Sequence, residues 1–97
     1  MPFLSYHVGV HKAIENAGRV IKETNCHAVK LEGGRDQCDV IAALTSAGIP
    51  VMGHLGLTPQ SIHKFGTYVV RATEKEEADK LKSDAAVLAE TGCFAVV

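Results

Sequence analysis

Three residues carry reactive groups where a fold could present them. They are Lys30 and Glu32 in Val29-Lys30-Leu31-Glu32-Gly33-Gly34, and His54 in Val51-Met52-Gly53-His54-Leu55-Gly56-Leu57-Thr58-Pro59-Gln60. Each stretch is a short apolar run that ends in ionisable residues and then glycine. Buried parallel strands read this way when their C-terminal ends deliver functional groups to a site. Lys30 and Glu32 are two residues apart, so on a strand they share one face while Val29 and Leu31 share the other. An ammonium and a carboxylate on one face can serve a polar ligand. They can also simply pair with each other at a rim, because charged groups are rarely buried unless paired. A histidine at a strand end has the same two readings, a ligand contact or a hydrogen-bonded structural group.

Periodicity indicates the elements that must position these groups. Val10, Ala13, Ile14, Ala17, Val20 and Ile21 form the i, i+3, i+4, i+7 series of an amphipathic helix, with Lys12, Glu15, Arg19, Lys22 and Glu23 on the other face. The helix is expected to stop near Asn25, a residue that tolerates the left-handed conformation, before a strand over residues 28–31. Gly33-Gly34 ends that strand. A second helix then opens around Asp36, turns Val40, Ile41, Leu44 and Ala47 inward, and stops at Gly48. Pro50 can begin the next strand, where its missing N–H falls outside the ladder, and Val51 to His54 follow.

Thr58-Pro59 predicts a short helix to about Phe65. Residues 66–72 read as a loop, and Thr73-Glu74-Lys75-Glu76 matches a capping box. The third long helix that it opens should bury Ala78, Leu81, Ala85, Leu88 and Ala89 and end at Gly92. Residues 93–97 read as a final strand.

A helix, a Gly or Asn stop and a short apolar strand therefore recur at Asn25, Gly48 and Gly92, which indicates an α/β fold with a parallel sheet and helices outside it. Doubly wound sheets and barrels share this signature, but polar residues at successive strand ends favour a barrel. A whole (β/α)8 barrel needs about 250 residues, so 97 residues amount to about three β/α units. The expectation is one partial barrel over residues 1–97, incomplete at both ends, whose open strand edges favour a homo-oligomer.

Composition narrows the function classes. A net charge of -1 and the absence of Trp argue against a nucleic-acid partner, which needs a basic footprint or stacking aromatics. No apolar run approaches the ~18 residues of a membrane span, and no basic region precedes the short apolar patch at Phe3-Leu4, so no membrane partner and a cytoplasmic location are expected. Cys26, Cys38 and Cys93 lack paired C-x-x-C spacing and leave one thiol over in any disulfide scheme, so reduced, buried or half-buried thiols are expected. His7 and His11 stand four apart, but no third ligand has the spacing of a zinc site. Gly33-Gly34 lacks the Lys-Ser/Thr ending of a phosphate loop and reads as a tight strand-to-helix turn.

Several stretches closely resemble the ketopantoate hydroxymethyltransferase family: Met1-Pro2-Phe3-Leu4-Ser5-Tyr6, Ala28-Val29-Lys30-Leu31-Glu32-Gly33-Gly34, and Ala47-Gly48-Ile49-Pro50 continuing through Gly53-His54-Leu55-Gly56-Leu57-Thr58-Pro59-Gln60-Ser61. Gly66-Thr67-Tyr68 and the ending Glu90-Thr91-Gly92-Cys93-Phe94-Ala95-Val96-Val97 fit it too. The resemblance implies a TIM (β/α)8 barrel of the phosphoenolpyruvate mutase type. It also implies a magnesium-dependent, aldol-like transfer of a hydroxymethyl group from 5,10-methylenetetrahydrofolate to 3-methyl-2-oxobutanoate, a 2-oxo acid, in pantothenate synthesis.

By the same resemblance Lys30 is a substrate-binding lysine, Glu32 a magnesium-site glutamate, and His54 a residue bordering the substrate pocket. Gln60 and Ser61 read as helix-start residues without a chemical role. A magnesium-binding aspartate of the family directly precedes its Met-Pro-Phe segment, and a second lies further upstream beside a substrate-binding serine. The general-base glutamate follows the strand at 93–97. These groups lie outside the 97 residues, so no catalytic residue is assigned within them. Two classes of function follow: a segment of such an enzyme, inactive by itself, or a non-catalytic folded or oligomerising module.

Overall fold

A computed structural model describes residues 1–56 and 75–97. In chain order it contains α1 (Val10–Thr24), β1 (Val29–Glu32), a single 3-10 turn (Arg35–Gln37), α2 (Cys38–Ser46), β2 (Val51–His54), α3 (Lys75–Thr91) and β3 (Ala95–Val96). The short helix expected over 59–65, the loop over 66–72 and the capping box at Thr73 lie outside the described residues.

The strands form a parallel sheet in the order β1-β2-β3. Val29 stands opposite Val51, Lys30 opposite Met52, Leu31 opposite Gly53 and Glu32 opposite His54, while Met52 and Gly53 face Ala95 and Val96. Hydrogen bonds from Phe94 N–H to the Val51 carbonyl, from Val97 N–H to the Gly53 carbonyl and from Leu55 N–H to the Val97 carbonyl carry the pairing beyond the two residues of β3. Apolar residues decide which face the helices cover. Val29, Leu31 and Val51 share one core with Ala13 and Ala17 of α1, Val40, Ile41 and Leu44 of α2, and Leu88 of α3. All three helices thus lie on one face of the sheet, an α/β arrangement with a parallel sheet.

The helix stops behave as their residue types predict. Asn25 is left-handed at φ 59°, and Gly48 and Gly92 take φ values of 86° and 125°. These conformations end each helix and turn the chain back toward the sheet. The first strand lies one residue later than periodicity alone places it, so Glu32 is its last residue. The second helix begins with the 3-10 turn rather than a full α-turn at Asp36.

Four residues expected inside are exposed, and Ala78, Leu81 and Ala85 of α3 are only half-buried. Val10 is the first residue of α1 and is exposed, whereas the buried residues Ala13 and Ala17 lie further along the helix. Ala47 is the C-cap of α2 and Ala89 faces solvent, both being exposed. The buried residues of α3 are Leu88 and, against its polarity, Asp84. Cys26 is exposed, since the left-handed stop at Asn25 carries it out into the turn, whereas Cys38 and Cys93 are half-buried free thiols. Among the described residues, no helix is long and apolar enough to cross a membrane.

Candidate functional site

Strand alternation puts Lys30 and Glu32 of β1, and Met52 and His54 of β2, on the sheet face away from the helices. Lys30 is exposed, and Glu32, Met52 and His54 are half-buried. Glu32 and His54 are register partners at the C-terminal ends of adjacent parallel strands, about 4.8 Å apart by strand spacing. Glu32 and His54 therefore meet at one end of the sheet, while Lys30 lies on the same face but further back along β1, opposite Met52. The imidazole Nδ1 of His54 is buried and has no hydrogen-bond partner among the described residues. A buried polar atom left unpaired costs about 1–3 kcal/mol, so a ligand group that bonds this nitrogen gains correspondingly.

The end of β1 is held from two sides. Val29 N–H and Gly33 N–H donate across to the Pro50 and His54 carbonyls, so the even-numbered residues of β1 turn their peptide groups to the outer edge. On that edge the Met1 nitrogen donates to the Lys30 carbonyl at 2.9 Å. Next to it the Tyr6 hydroxyl accepts from Glu32 N–H at 3.0 Å and donates to the Glu32 carbonyl at 3.1 Å. Tyr6 is 1% exposed. Burial raises its hydroxyl pKa, the Glu32 backbone bond opposes this, and the carboxylates of Glu32 and Asp36 reinforce it, so the group stays a phenol that can donate.

A tight turn delivers Tyr6 to this edge. Leu4 sits at φ 63°, which costs a non-glycine residue about 1–2 kcal/mol. The turn is held by Ser5 N–H and Oγ donating to the Pro2 carbonyl, by Leu4 N–H donating to His7 Nδ1, and by Asn16 Nδ2 donating to the Ser5 carbonyl. The Tyr6 and His7 rings are in contact, tilted by 30° with centroids 4.0 Å apart. His11 pairs with Glu15 on the exposed face of α1 rather than with His7.

On the other side, Asp84 of α3 holds the loop that follows Glu32. Its carboxylate meets Lys80 Nζ at 2.6 Å and Arg35 Nε at 3.3 Å, and Arg35 Nη2 donates to Ser83 Oγ at 2.8 Å. The hydrogen bond from Lys80 lowers the Asp84 pKa most, with Arg35 adding to it against the opposing effect of burial. The carboxylate approaches the loop so closely that a Cβ on Gly34 would lie 2.5 Å from Oδ2. Glycine is needed there for space. Neither Tyr6 nor Asp84 stands out as a site residue in the sequence. The i, i+4 pair Lys80 and Asp84 is a visible signal of a helix-face ion pair, but its contact with Arg35 spans 49 residues.

Among the described residues, no group of three or more His, Cys, Asp or Glu side chains is placed to hold a metal ion. Magnesium, however, is commonly bound through one or two carboxylates while water and substrate oxygens complete its shell. Glu32 fits as one such oxygen ligand, standing at a strand end beside the unpaired His54 nitrogen and within the same face as Lys30.

The model of the family described as ketopantoate hydroxymethyltransferase matches residues 1–97. Over all 97 residues the chain is 59% identical to a 3-methyl-2-oxobutanoate hydroxymethyltransferase of Christiangramia forsetii and 57% identical to one of Cytophaga hutchinsonii, covering 36% of each. It is 55% identical to the protein of that name from Chlorobium phaeobacteroides, covering 35% of it. The chain therefore spans about a third of the length of these relatives. The match of that family model over residues 1–97 means that the chain belongs to the ketopantoate hydroxymethyltransferase family.

Proposed function

We propose that this chain is the part of a ketopantoate hydroxymethyltransferase that supplies a substrate-binding lysine and a magnesium-site carboxylate, within a (β/α)8 barrel of the phosphoenolpyruvate mutase type. The observation that carries this reading is the pairing of Glu32 with His54 at the C-terminal ends of β1 and β2, on the helix-free face that Lys30 shares. Active sites of such barrels are built at that end. The strand order β1-β2-β3, with the helices on one face, is that of consecutive β/α units of a barrel.

The reaction is the transfer of a hydroxymethyl group from 5,10-methylenetetrahydrofolate to 3-methyl-2-oxobutanoate, which requires loss of a proton α to a ketone. When bound, magnesium supplies Lewis acidity to the adjacent oxygens of the 2-oxo acid. Lys30 brings a positive charge to the substrate carboxylate or to the oxyanion that develops as the proton leaves. Glu32 holds the metal or one of its waters, and His54 borders the pocket and offers Nδ1 to the substrate. The acceptor of the α proton is assigned, by family resemblance, to a glutamate beyond Val97.

In a complete protein carrying this segment, Lys30→Ala is expected to raise the KM for the 2-oxo acid by roughly one to two orders of magnitude, the range for losing a hydrogen bond to a charged group. Glu32→Ala is expected to raise the magnesium concentration for half-maximal rate. Steady-state kinetics across oxo-acid and magnesium titrations test both. Unchanged oxo-acid saturation in the first variant, or unchanged magnesium dependence in the second, would remove that residue from the reading.

A further inference from the structure

We propose that Tyr6 is a positioning residue for Glu32, its hydroxyl clamping the Glu32 peptide groups at the outer edge of β1 so that the carboxylate keeps a fixed aim into the site. The inference rests on the assignment of Glu32 to the magnesium site. The N–H and C=O of Glu32 point away from β2, and a strand end whose outward groups go unpaired tends to fray. The Tyr6 hydroxyl meets both outward groups of one residue at once, accepting at 3.0 Å and donating at 3.1 Å. That residue is Glu32, the last of the strand.

Packing alone does not require the hydroxyl. Tyr6 belongs to the buried core, and a phenylalanine ring would fill the same volume. What the oxygen adds is the pair of bonds to Glu32. Opposite the clamp, Gly33 N–H donates to the His54 carbonyl at 3.1 Å, so the Glu32 backbone is fixed from the Tyr6 edge and immediately afterwards from β2. A carboxylate that holds a metal needs its orientation set by such outer contacts, and losing one typically weakens metal affinity by about 10–100-fold.

The test uses a complete protein carrying this segment. In the metal-free, unaltered protein, hydrogen exchange of the Glu32 amide is expected to be as slow as that of Gly33. An amide exchanging freely would overturn the clamp without any variant. Tyr6→Phe is expected to speed exchange at Glu32 while leaving the amide of Ile41 in α2 unchanged, and to raise the half-saturating magnesium concentration about tenfold.

Glu32→Gln and the core variant Val40→Ala are measured beside it. A raised magnesium requirement in Glu32→Gln, with none in Tyr6→Phe, overturns the positioning role while the metal assignment stands. No rise in Glu32→Gln overturns the metal assignment and this inference with it. An equal rise in Val40→Ala means that general loosening is enough, which also overturns the role of Tyr6.

Discussion

Asp84 is buried on α3 as a carboxylate because two cations reach it from different elements, Lys80 from its own helix and Arg35 from the loop after β1. Asp84→Asn keeps the shape and removes the charge. The expected loss is about 1–2 kcal/mol, at the lower end for charged hydrogen bonds because both cations are largely exposed and screened by water. The pH dependence follows from the lowered pKa. The contribution is fully present above the ordinary aspartate pKa and is lost as pH falls through the lower folded value. Thermal melts in a complete protein should separate wild type from Asp84→Asn near neutral pH and bring them together in strong acid. A gap that persists in acid would show that the carboxylate charge is not what stabilises the fold.

Between elements, the seat of α3 on the sheet depends on Gly53. A Cβ there would lie 2.8 Å from Leu88 Cδ1 and 3.5 Å from Cys93 Sγ, and Leu88 is fully buried. Gly53→Ala should therefore push α3 away from β2 and cost about 1–3 kcal/mol, the range for overpacking. A denaturation midpoint equal to wild type would mean that Leu88 moves aside freely. The stop of α1 makes a milder prediction. Asn25 is already left-handed, so Asn25→Gly should stay within a few tenths of a kcal/mol, whereas a β-branched Asn25→Val should lose about 1–2 kcal/mol. Equal midpoints for the two variants would contradict a conformational stop.

For the molecule as a whole, the described residues offer one carboxylate at the site, and Phe94 and Val97 are exposed at the β3 side of the sheet. The 97-residue chain alone is expected to give no hydroxymethyl transfer above background and to self-associate through its open sheet. Proton exchange at the α position of 3-methyl-2-oxobutanoate in deuterated buffer with magnesium, together with sedimentation, tests this. Magnesium-dependent exchange by a folded monomer would refute both parts.

What the sequence determined by itself were properties carried by neighbours along the chain. The helical period placed α1 and the buried residues of α2, Asn25, Gly48 and Gly92 marked the helix ends, and alternation on β1 put Lys30 and Glu32 on one face. The strand-end motifs likewise made the family recognisable. Only the tertiary structure decided what crosses the chain at long range: the register that sets Glu32 beside His54, the Tyr6 hydroxyl 26 residues away in sequence on the Glu32 backbone, and the burial of Asp84. Alanines 47 and 89 were misread for the same reason, since a period identifies an apolar stripe but not where the packed surface ends. Local pattern reflects the backbone geometry of one element, whereas register, edge capping and the depth of a buried charge depend on which elements meet, and that is settled only when the chain packs.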